Sequence, residues 1–172
     1  MDRKSNTPIE EQRGLGLAAG KLAFSLLLCY PELAKVCLEA QEEGVLLEFT
    51  LVTRPKDEEF EARSNKIMDC LRLYHQLEHI VANECYSYYG GKAYHIFRGW
   101  QDLSSQEINL MVTLVGENFG DCLLVNGKRE FYLDVKRHLD EVDSILYRFR
   151  SEKLLESIVG LREKDDITIF VR

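Results

Sequence analysis

What the chain has little of narrows its chemistry first. Its 172 residues include five cysteines, an odd number, and no C-x-x-C pair. That spacing suits neither a disulfide framework nor a zinc ribbon. Cys29, Cys37, Cys70, Cys85 and Cys122 each stand among apolar neighbours, so each is expected as a small buried hydrophobe in a reducing compartment. Positive charge is in deficit: 22 Lys+Arg against 29 Asp+Glu leave a net charge of −7. A general duplex binder needs the opposite sign to displace counterions, so nucleic acid is not an expected partner. Prolines number three, and no low-complexity tract or linker divides the chain. The longest apolar run, Leu15 to Tyr30, carries Lys21 and is short for a bilayer, so no membrane partner is expected. The polar first thirteen residues do not read as a signal peptide. The expected location is cytoplasmic.

Thr7-Pro8-Ile9-Glu10 reads as an N-cap, a first-turn proline and a capping-box glutamate, opening a helix to about Cys29. This helix is apolar on most sides, so a second layer or a partner must cover it. Gly16 and Gly20 would allow close approach there. A second helix is expected over Glu32–Glu43, from Pro31 to Gly44. Val45–Thr53 reads as a central strand, and a long helix is expected over Glu58–Asn83.

Two hairpins are signalled by positive-φ turn residues. Gly90-Gly91 lies between Cys85–Tyr89 and Lys92–Arg98, and Asn126-Gly127 lies between Cys122–Val125 and Arg129–Val135. Between them Ser104-Ser105-Gln106-Glu107 is a capping box, and Gly120 closes its helix. A last helix is expected over His138–Val159, ended by Gly160, and a last strand over Ile167–Val171.

The expectation is therefore one α+β domain over 1–172. Residues 1–7 would form a flexible tail, 8–44 an extension of two extra N-terminal helices, and 45–172 the sheet and its helices. The sheet is expected to be mixed or antiparallel with five to six strands, its helices mainly on one face. A ferredoxin-like βαββαβ order can be cut from the pattern twice, over Val45–Val125 and over Lys92–Val171.

The sharpest catalytic candidate is His75-Gln76-Leu77-Glu78-His79, which matches the letters of the H-x-x-E-H zinc peptidase pattern. Histidines four apart on a helix can share zinc, and Glu78 could serve as the base. Glu156 is one acid that could complete the ligand set. The helical wheel puts both histidines on the flank or solvent side of their helix.

Other chemistries fare worse. Gly14 to Lys21 lacks the Walker spacing, and no G-x-S-x-G elbow exists. Tyr86, Tyr88, Tyr89, Tyr94, Phe97 and Trp100 read as cross-strand packing. Alternation sends His95 and Arg98 to opposite faces, which weakens a pocket of His95, Arg98 and Asp102 at the strand end. Lys128, Arg129, Lys136, Arg137, Arg148 and Arg150 read as a solvated rim.

The function expected from this pattern is a non-enzymatic protein-interaction or regulatory module without a cofactor. It would associate with itself as a dimer, or with another protein, through Leu15, Gly16, Ala19, Gly20, Ala23 and Leu27. The alternative is a zinc-dependent hydrolase using His75, Glu78 and His79.

Overall fold

The computed structural model describes residues 7–81, 84–126 and 132–172. Over these described residues it is an α+β fold with four helices and a six-stranded antiparallel open sheet, in the order β3-β4-β2-β1-β5-β6. The elements run α1 (Thr7–Cys29), β1 (Lys35–Glu39), β2 (Gly44–Thr50), α2 (Asp57–Leu77), β3 (Cys85–Gly90), β4 (Ala93–Gly99), α3 (Ser105–Phe119), α4 (Tyr132–Arg148), β5 (Ile158–Glu163) and β6 (Asp166–Val171).

Strand register sorts the side chains into two faces. Val36, Leu38, Val45, Leu47, Phe49, Tyr94, Ile96 and Ile158 share one face and one core with all four helices. The other face carries Tyr86, Phe97, Leu46, Cys37, Val159 and Phe170 as a single row across all six strands. Helix α1 lies on α4 and over β1, β5 and β6, while α2 packs on α3.

The first hairpin forms, but its turn falls one residue later than expected: Gly90 pairs with Ala93, so the turn residues are Gly91 and Lys92. Gly91 takes the positive φ of 63° that the turn needs. Ser104 caps α3, its hydroxyl accepting from the Glu107 amide at 3.2 Å. The acidic first turn of α2, Asp57, Glu58 and Glu59, suits the helix dipole.

Several expectations are corrected. The segment expected as a second helix, Glu32–Glu43, contains β1 instead. Consecutive Val36, Cys37 and Leu38 are buried on both sides of the sheet, and pairing with β2 and β5 overrides the local helix formers. The 8–44 extension is therefore not a helical appendage, since β1 is a central strand. The second hairpin does not form over its expected residues. Tyr132–Val135 opens α4, and Cys122–Val125 contributes one isolated bridge, Leu51 to Leu123. Gly127 and residues 128–131 lie outside the described residues, as do 1–6 of the expected tail.

The helix expected over His138–Val159 ends at Arg148. Gly160 is not its cap but a mid-strand residue, where a Cβ would meet Leu27 Cδ1 at 2.9 Å and Ile169 Cδ1 at 3.0 Å. Neither βαββαβ cut is completed among the described residues. Strand β4 returns between β2 and β3, but β5 joins the sheet on the far side of β1.

Candidate interaction surface

Helix α1 is apolar nearly all round, and the fold covers only part of it. Leu15, Ala18, Ala19, Leu22, Ala23, Leu26 and Leu27 are buried within the chain's own core. Leu17 at 72% exposure, Phe24 at 42% and Leu28 at 44% are left on one stripe with exposed Lys21. Of the residues expected at an interface, Leu15, Ala19, Ala23 and Leu27 therefore face inward. Gly16 and Gly20 line the outer surface.

That surface continues into a groove of about 950 Å³ between α1, the segment 154–158 and β6. Leu17, Phe24, Leu155, Phe170 and Val171 form its apolar walls. Its charged lining residues are Lys21 and Glu156, of opposite sign. The wall formed by β6 is an edge strand, so half its backbone groups have no ladder partner among the described residues.

The candidate metal residues are not brought together. Helix α2 stops at Leu77, and His79 takes a positive φ of 54° beyond the C-cap Glu78. The His79 amide bonds the Gln76 carbonyl at 3.3 Å, and the Ile80 amide bonds the His75 carbonyl at 2.8 Å. This is a Schellman closure, and it removes the helical spacing that a shared metal would require. Glu78 and His79 are exposed, and Glu156 lies in the α1 groove. Among the described residues no three His, Cys, Asp or Glu side chains are grouped to hold a metal.

His75 is not on the solvent side. It is 7% exposed and its Nε2 meets Glu107 Oε1 in a buried ion cluster. Glu107, at 0% exposure, also accepts from Arg98 Nε at 2.8 Å and from Arg98 Nη2 at 3.2 Å. Arg98, 1% exposed, donates further to the Gly99 and Gln101 carbonyls. The cluster ties α2, β4 and the first turn of α3 together. Burial, with the Glu107 charge adding to it, pushes the nearby Cys85 thiol up to about 11.

The second sheet face bears out the alternation at β4. His95 stacks flat on Tyr88, with centroids 4.4 Å apart, while Arg98 points to the opposite face. Tyr86 stacks on Phe97 at 5.1 Å, a cross-strand pair as expected. A hydrogen bond from His95, at 3.1 Å, holds the Glu48 carboxyl below its usual range. Asp102 meets Arg150 at 3.9 Å rather than His95.

Sequence reasoning missed one further recess. A polar pocket of about 330 Å³ opens beside Trp100, which stacks on Phe149, and is lined by Glu42, Glu43, Glu84, Arg150 and Lys153. Its sides come from segments far apart in the chain, so no local pattern marks it.

Among the described residues no helix is long and apolar enough to cross a membrane. Comparison with family models, with curated proteins and with solved structures returns no match to this chain.

Proposed function

We propose that this chain is a non-enzymatic cytoplasmic interaction or regulatory module that associates with itself through the outer stripe of α1. One observation carries the reading: a helix that has already filled its own core still exposes Leu17, Phe24 and Leu28 beside an apolar groove. A stripe of that kind, rimmed by polar side chains, is the usual mark of a protein-binding surface. The free cysteines agree with a reducing compartment.

Sedimentation velocity on the full chain tests this, from about 1 to 100 μM, the range in which moderate self-association registers. The expected result is a dimer that reverts to one chain in the Leu17→Glu/Phe24→Glu variant. Both side chains are exposed, so the variant keeps its core. A wild-type monomer throughout that range would refute self-association.

A further inference from the structure

The self-association above, on which this inference rests, leaves open how two copies meet. We infer that they meet edge to edge, with β6 pairing antiparallel to β6 of a second copy about a two-fold axis at Ile169, so that the two sheets become one.

The ladder identifies which backbone groups are free. The Arg172 amide donates to the Ser157 carbonyl at 2.9 Å, which makes that a bonded pair. Bonded and non-bonded pairs alternate in an antiparallel ladder. Val159–Phe170 and Leu161–Thr168 are therefore bonded pairs too. The amides and carbonyls of Ile167, Ile169 and Val171 consequently point away from the sheet. A six-residue edge whose sole charge is Asp166 at its first position, with neither lysine nor proline, leaves Ile167–Val171 without the charges or prolines that keep edges unpaired.

The groove selects the occupant. An isologous contact must be complementary to itself. Its two charged residues, Lys21 and Glu156, have opposite signs, so a second copy presents acid to base and base to acid. A register centred on Ile169 pairs Ile169 with its own counterpart, and Ile167 with the counterpart of Val171. All three outward residues then exchange both backbone bonds. On the helix face, α1 overlies β5 and β6, so the same axis brings the two Leu17-Lys21-Phe24-Leu28 stripes toward each other. Phe170 and Val171, both largely exposed in the single chain, become covered.

The register predicts a specific cross-link. Thr168 falls opposite the counterpart of Phe170 in a non-bonded pair, where Cα atoms approach to about 4.5 Å, within disulfide reach. Both residues are exposed, so replacing them leaves the fold intact. The probe is Thr168→Cys/Phe170→Cys in a Cys70→Ser background, which removes the exposed native thiol. Under mild oxidation more than half the chains should run as a dimer that dithiothreitol reverses. Each single cysteine variant should cross-link at least ten-fold less, because neither residue meets its own counterpart. Adding Leu17→Glu/Phe24→Glu should abolish the cross-link. A dimer by sedimentation without the double-cysteine link would overturn the edge pairing while leaving self-association through α1 standing. A monomer by sedimentation would overturn both.

Discussion

Replacing Glu107 with alanine should be among the most damaging single changes in the protein, although Glu107 faces no ligand. Its carboxylate is fully buried and answers Arg98 with two bonds and His75 with a third. Removing it leaves the Arg98 guanidinium inside with the Gly99 and Gln101 carbonyls as its remaining partners among the described residues. Breaking a buried pair from one side typically costs about 3–5 kcal/mol, because a charge stays behind without its counter-ion. For a domain whose total stability is of order 5–15 kcal/mol, that is a large share. With a urea slope of about 2 kcal/mol/M, the midpoint should fall by roughly 2 M. Urea titration followed by Trp100 fluorescence and by far-UV circular dichroism reads this directly. Like Glu107→Ala, the double variant Arg98→Met/Glu107→Leu leaves His75 Nε2 without this partner, but it removes both charges and adds only two bereft carbonyls, about 1 kcal/mol each at the low end of the usual range. It should be more stable than Glu107→Ala alone. A loss below about 1 kcal/mol for Glu107→Ala, or a double variant worse than the single, would refute the view that the pair is held by mutual neutralisation.

Three further outcomes follow from local geometry. Gly160→Ala should destabilise by about 1–3 kcal/mol, since its Cβ would press on Leu27 and Ile169 between α1 and the sheet; thermal unfolding checks it. In native protein a thiol reagent should label exposed Cys70 first, while Cys37, whose thiol burial pushes up to about 12, should react only after unfolding; peptide mapping separates them. Glu48, held below its usual carboxyl range chiefly by the His95 hydrogen bond, should stabilise the fold above pH 4.5. That contribution is lost as pH falls through the lowered folded value, so Glu48→Gln should flatten the acid limb of stability against pH; urea midpoints from pH 6 down to about 3 measure it.

Local signals proved legible where short-range chemistry decides the outcome. Gly90-Gly91 marked the first hairpin, Ser104 capped α3, and alternation along β4 separated His95 from Arg98 correctly. Where distant segments decide, the pattern misled. Lys35–Glu39 carries helix formers on either side yet is a strand, because β2 and β5 bond it from both flanks. Gly160 looked like a helix stop, but its lack of a side chain serves the approach of α1 to β5. The wheel put His75 toward solvent because Glu107, 32 positions later, gives no sign in the sequence that it will reach back to it. On α1 the apolar character was plain, whereas which side would stay uncovered depended on α4 and on strands still to come. The inner residues Leu15, Ala19, Ala23 and Leu27 are consumed by the fold, and the outer stripe is what remains.

The placement of α1 has a consequence for how the protein is made. The helix is synthesised well before β5 and β6, which form much of the floor beneath it. From Cys29 to Val171 a ribosome must add 142 residues, roughly 7–28 s at about 5–20 residues per second. Throughout that interval Leu22, Leu26 and Leu27 have β1 at most and neither β5 nor β6 to cover them, so the nascent chain offers a greasy helix to holding chaperones. Ribosome-bound chains stalled before Ser157 should therefore remain chaperone-bound and protease-sensitive, and release should coincide with the appearance of the C-terminal hairpin.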